Sequence, residues 1–102
     1  MSLISVNQRD IIKVEGIKDE LLVVSKNIFN INEETIVCPI VRKTIEHPLH
    51  MKLEHNEIMG VIECEQMKYI DLRTRGYKKI GEIGELQFMY ISDAIQSIFE
   101  YY

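Results

Sequence analysis

Glu85-Leu86-Gln87-Phe88-Met89-Tyr90-Ile91-Ser92-Asp93-Ala94-Ile95-Gln96-Ser97-Ile98-Phe99-Glu100-Tyr101-Tyr102 is the stretch on which the fold turns. Phe88, Ile91, Ile95, Ile98 and Tyr102 recur at steps of three and four, with Ala94 beside them. Gln87, Asp93, Gln96 and Glu100 fall elsewhere. That spacing predicts an amphipathic helix of several turns. Gly84 suits the N-cap, and Glu85 suits the first turn, where a negative charge meets unsatisfied N–H groups. An isolated helix of this length is marginal in water, so its apolar stripe needs strands to dock on.

The preceding sequence supplies them. Residues 9–15 carry Ile11, Ile12 and Val14, and residues 20–25 form a continuous apolar run, as expected of a strand covered on both faces. Residues 35–41 are β-branched and include Pro39, which predicts an edge or a bulge. In residues 49–53, Leu49, Met51 and Leu53 alternate with His50 and Lys52, so both histidines of this region, His47 and His50, are expected at solvent-exposed positions. Residues 60–70 form the longest strand candidate. Residues 26–34, with three asparagines, predict a turn or a single helical turn, and residues 73–79 predict a tight turn around Gly76. Consecutive strands followed by one closing helix give an α+β domain with a small antiparallel, barrel-like sheet.

The 102 residues read as one domain, 1–102, with residues 1–6 as a flexible leader. No apolar run is long enough to span a membrane and no signal-peptide pattern opens the chain, so the expected location is the cytoplasm. Cys38 and Cys64 form no CxxC pair and lie in apolar runs, which predicts two buried, reduced thiols. His47 and His50 are not at helical i,i+4 spacing, so the pattern gives no metal site, and no nucleotide or cofactor motif is present. The net charge of -4 argues against a general nucleic-acid coat protein. Local charge differs: Lys68, Arg73, Arg75, Lys78 and Lys79 are interrupted only by Asp71. They form either a solvated turn or a phosphate-facing patch.

Six segments, in order, resemble the MazF/PemK toxin family. Gln8-Arg9-Asp10-Ile11-Ile12 resembles the family's R-G-D-I/V strand without its glycine, and Leu22-Val23-Val24-Ser25-Lys26-Asn27-Ile28-Phe29-Asn30 resembles V-L-V-V-S-N-D-x-F-N. Thr35-Ile36-Val37-Cys38-Pro39-Ile40 is similar to T-V-I-V-x-P-I, and Leu49-His50-Met51-Lys52-Leu53 falls where the family has H-V-x-L. Glu65-Gln66-Met67-Lys68-Tyr69-Ile70-Asp71 resembles E-Q-I-R-T-I-D, and Ile80-Gly81 precedes the helix as in the family. The resemblance implies an SH3-like barrel closed by a C-terminal helix, a homodimer and an antitoxin partner. It also implies metal-independent cleavage of single-stranded RNA.

Such cleavage needs a base for the ribose 2′-OH, an acid for the leaving oxygen and a donor or cation at the phosphorus centre. The family supplies these mainly with an arginine of an R-P pair before the second strand and a Thr or Ser after P-I. Here Asp19-Glu20 stands at the R-P pair and Val41 at the threonine. Lys18, Arg42 and Thr44 are the candidate catalytic replacements. His47, Gln66, Lys68, Arg73, Arg75 and Lys78 are the candidate substrate contacts. The alternative is a non-catalytic binding module on the same fold, for an antitoxin, RNA or another protein. A remoter alternative, the gyrase-poison branch, relies on a C-terminal tryptophan, and this chain has no Trp.

Overall fold

The computed structural model describes residues 6–55 and 58–99. Seven strands precede one helix: β1 (Asp10–Val14), β2 (Glu20–Val23), β3 (Glu34–Val41), β4 (His50–His55), β5 (Ile58–Glu63), β6 (Lys68–Asp71), β7 (Tyr77–Glu82) and α1 (Glu85–Ser97). All pairings are antiparallel, in the order β4-β5-β3-β2-β1-β7, with β6 also on β3. This is an α+β fold, as the change of period at residue 85 predicts. Among the described residues the pairings leave β4 and β7 as the two ends of the order. Leu53 of β4 and Ile80 of β7 nonetheless pack into the same apolar cluster, so the sheet curls around it.

The continuous apolar runs of β1, β2 and β3 have one cause: both faces are covered. Register places Ile11 opposite Leu22 and Leu22 opposite Cys38, and all three join one cluster with Ile62 and Ile91. Their neighbours Ile12, Leu21, Val23 and Val37 point the other way, into a second cluster with Ile70 and Leu72. Val6, the last residue of the expected leader, is buried in that second cluster, and the rest of the leader lies outside the described residues. Asn30–Asn32 forms a short 3-10 turn, held where the Ser25 hydroxyl donates to Asn30 Oδ1 at 2.6 Å.

Helix α1 starts after Gly84, as its N-cap, and buries Ile91 completely, with Phe88, Ala94 and Ile95 half-buried against the same cluster. Gln87 Nε2 donates to the Lys52 carbonyl at 2.8 Å, tying the helix to β4. The helix ends at Ser97, and Tyr102, the last residue of the predicted stripe, lies outside the described residues. It is not long and apolar enough to cross a membrane.

Three expectations need correction. The single strand over 60–70 is two strands. Ile40 opposes Ile62 while Val37 opposes Lys68, so three steps along β3 span six steps along the other segment. The surplus residues loop out between β5 and β6, carrying Cys64, Glu65 and Gln66, and such an interruption re-aims side chains. Tyr77–Glu82 is a strand paired with β1, and the turn stops at Gly76. Its solvent-facing lysines, typical of a protected edge, hide the alternation. Pro39 is at neither a free edge nor a bulge in the β2 pairing. It faces Leu21 on β2, and on the other side it falls in the gap where β3 changes partner from β6 to β5.

Candidate functional site

The connection from β3 to β4 builds the most chemically varied surface. Pro48 occupies the second position of a turn in which His50 N donates to the His47 carbonyl at 2.9 Å. Proline pre-sets the backbone angle for that position, and the turn folds its first residue back over its fourth. The two imidazole rings therefore lie with centroids 4.9 Å apart, tilted at 32°. Leu49 N donates to His47 Nδ1 at 3.0 Å, fixing the His47 ring, which is exposed.

His50 differs from the expectation of a solvent-facing ring: its side chain is only 6% exposed. The β4–β5 register sets His50 opposite Glu63, and the loop after β5 then turns Glu65 onto it. His50 Nδ1 lies 2.7 Å from the Ile45 carbonyl, so it carries a hydrogen and donates. Nε2 lies 2.8 Å from Glu65 Oε2, so it donates as well, giving an imidazolium beside a carboxylate. The Glu65 hydrogen bond, then the Ile45 carbonyl, raise the His50 pKa above its ordinary 6.5 against the opposing effect of burial. Burial pushes Glu65 up, but the His50 hydrogen bond, its own backbone N–H and the charge of both histidines leave it below the ordinary carboxylate range. Thr44 extends the network, donating to Glu63 Oε2 at 2.7 Å with its oxygen 3.2 Å from His50 Nδ1. Thr44, His47, His50, Lys52 and Val61 line an open cleft of about 590 Å³.

Arg42 follows β3, and its guanidinium lies over Gly60, where an added side chain would meet Ile40 and the Val41 carbonyl at 2.8 Å and Arg42 at 3.1 Å. Arg42 is ion-paired with Glu20 at 3.0 Å, Arg42 being the more exposed partner. Glu20 is one of the two acidic residues at the resembled R-P position. Lys18, two residues earlier on the β1–β2 loop, is exposed, and no partner for its ammonium is found among the described residues. Val41 closes β3 opposite Val61.

The remaining candidates are dispersed. Gln66 is exposed on the loop after β5, and Lys68 opens β6. Arg73 is clasped by Asp71 at 2.7 Å and Glu34 at 3.0 Å, and its hydrogen bonds hold the Asp71 carboxyl down at about 2. Arg75 is exposed in the turn, whereas Lys78 lies on β7 beside Lys13 and Tyr77. Lys79 is paired with Asp10 and Glu82. The fold thus brings together Thr44 and His47 at one cleft, leaves Arg42 paired with Glu20, and spreads the 68–79 cations over β6, β7 and their turn.

Sequence spacing also missed a donor cluster: His47, His50 and Glu65 each offer a ligand atom, all within 4.8 Å of one another. The four-residue His-Pro-Leu-His turn was a readable signal for the two rings. Glu65 was not readable, because it depends on the β4–β5 register. Cys38 and Cys64 are buried free thiols, as expected, and burial pushes them up to about 12 and about 11, which keeps them protonated and unreactive.

A model of the family described as PemK-like, MazF-like toxin of type II toxin-antitoxin system matches residues 8–99. No curated protein sequence matches the chain. Among solved structures, the fold is similar to a chain of MazE-MazF (Form-II) from Deinococcus radiodurans, with a TM-score of 0.83 and 17% identity, covering 95% of this chain and 97% of that one. It is similar to an endoribonuclease in complex with its cognate antitoxin from Mycobacterial species, with a TM-score of 0.81 and 12% identity over 96% and 100% of the two chains. It is also similar to the Mycobacterium tuberculosis toxin MazF-mt6, with a TM-score of 0.74 and 18% identity over 89% and 96%.

Proposed function

Because this chain belongs to the PemK-like, MazF-like toxin family of type II toxin-antitoxin systems, we propose that it cleaves single-stranded RNA without a metal, through a site rearranged around the β3–β4 connection. One observation carries this reading. Thr44, His47 and Lys52 line one cleft beyond Val41, where the resemblance locates the family's threonine, and Arg42 directly follows Val41 in the chain. Arg42 supplies a planar cation for the phosphorus centre, the role a lysine fills less specifically. The exposed His47 imidazole offers a ring nitrogen for proton transfer. Thr44 gives its hydrogen to Glu63, so its oxygen faces the cleft network as an acceptor. Lys18, on the loop before Glu20, extends the positive side of the groove, and Gln66, Lys68, Arg75 and Lys78 serve the flanking RNA.

The same proposal includes closure of the curled sheet into a small SH3-like barrel, a homodimer, an antitoxin chain over the groove, and a cytoplasmic setting. Incubation of the purified chain with long single-stranded RNA in EDTA tests the activity. Discrete fragments are expected, with Arg42→Ala and His47→Ala each slowing their appearance by roughly 10²-fold or more. RNA left intact after prolonged incubation sinks the catalytic reading. The Glu20–Arg42 ion pair favours a second reading, a non-catalytic module that holds RNA or its antitoxin, since it neutralises the best-placed cation. Intact RNA that nonetheless co-migrates with the protein selects that reading.

A further inference from the structure

The geometry points to a divalent transition-metal site, of the zinc class, formed by His47, His50 and Glu65. Three observations converge on it. The ligand atoms of the three side chains lie within 4.8 Å of one another, close enough to share one ion after small side-chain movements. His50 is already oriented as a metal ligand: Nδ1 donates to the Ile45 carbonyl at 2.7 Å, leaving Nε2 to face Glu65 Oε2 at 2.8 Å. A backbone carbonyl behind the distal ring nitrogen is the usual support of a ligating imidazole. Finally, Glu65 Oε1 is buried and has no hydrogen-bond partner among the described residues. A carboxylate with one oxygen bonded and the other buried and unused has acceptor capacity that a cation satisfies.

Two imidazoles and one carboxylate favour a borderline ion such as Zn²⁺ over Mg²⁺ or Ca²⁺, which prefer all-oxygen shells. Three protein ligands leave a position for water, and His47 and His50 line a cleft open to solvent, so an ion has a path in. Glu46 on the same cleft and Glu63, opposite His50 in the register, add negative charge nearby, against Lys52. In binding, the ion replaces the hydrogen now shared between His50 Nε2 and Glu65. The exposed His47 ring gives up its bond from Leu49 N or turns its other nitrogen inward. The ion would pin the β3–β4 turn to the loop after β5 and withdraw His47 from any other chemistry. The site shares His47 with the proposed cleavage, but ion binding is measured without RNA and stands or falls separately from it.

Tag-free chain, stripped with EDTA and dialysed, is titrated with Zn²⁺ by calorimetry and with Co²⁺ by visible absorption. One equivalent per chain is expected, with ligand-field bands of an ordered site and no competition from excess Mg²⁺. His47→Ala removes an exposed ligand, so the variant folds, and it weakens Zn²⁺ binding tenfold or more. Glu65→Gln does the same, and circular dichroism confirms its fold. Absence of saturable binding overturns the inference, as does unchanged affinity in both folded variants.

Discussion

Glu20 pairs with Arg42 next to Asp19, the residue that stands where the family resemblance places an arginine, and that pairing decides how much positive charge Arg42 offers a phosphate. The pair is partly exposed, with Arg42 at 57% and Glu20 at 22%, so its attraction is screened and worth at most about 1 kcal/mol. Glu20→Gln frees the guanidinium and removes a repelling charge. Binding of a short single-stranded RNA, read by fluorescence anisotropy, should tighten roughly two- to fivefold at low salt. The gain should shrink as salt rises. Unchanged or weaker binding means that Arg42 does not meet the phosphate. A second residue-scale test concerns Asp71, held at about 2 by hydrogen bonds from Arg73. A carboxyl depressed on folding contributes stability that is present above its ordinary 3.8 and lost as pH falls through about 2. Carboxyl carbon resonances should titrate near that value in the native chain and return toward 3.8 in Arg73→Ala. The stability difference between the two proteins should vanish over the same window, and a pH-independent difference contradicts the assignment. Residue types announced Thr44 and His47, which line one cleft, and Arg42, which is close to them in sequence. They did not announce the His50–Glu65 pair, because register and an interrupted strand bring those residues together. Nor did they reveal that Arg73 is clasped by Asp71 and Glu34.

At the scale of elements, legibility followed burial. β1, β2 and β3 are covered on both faces, so their sequences are continuously apolar and plain to read. Helix α1 showed its period because one stripe docks while Asp93 and Gln96 stay in water. The β5–β6 interruption was hidden, since the apolar pattern runs through it and only the change of partner on β3 marks the break. β7 was hidden for the opposite reason, its exposed lysines resembling a turn. The docking of α1 gives a direct test. Ile91 is fully buried among strand residues from both ends of the pairing order. Ile91→Ala should cost roughly 2–5 kcal/mol in urea denaturation, as other buried aliphatic truncations do. Leu86→Ser, on the exposed side of the same helix, should shift stability by roughly 0.5 kcal/mol or less. Equal losses from the two changes would mean that the helix does not seal the core.

The whole molecule leaves more apolar surface in water than its core requires. Ile28 is 78% exposed and Ile31 71%, on the segment between β2 and β3, while Met89 and Tyr90 stand three and four residues after Leu86 on the uncovered side of α1. Scattered exposed apolar residues are ordinary on any protein. Runs of them on a single element mark surfaces that associate. A net charge of -4 on 102 residues is too small to keep two such surfaces apart at physiological salt. Neither patch contributes a cleft-lining residue. Light scattering of concentrated chain should therefore give twice the 12.0 kDa chain mass. Ile28→Glu and Tyr90→Glu, made separately, should distinguish the faces, because a charge buried at the interface dissociates the dimer and the same charge elsewhere stays solvated. A monomer in the unaltered chain rejects self-association, and a dimer surviving both substitutions assigns the contact to a third surface.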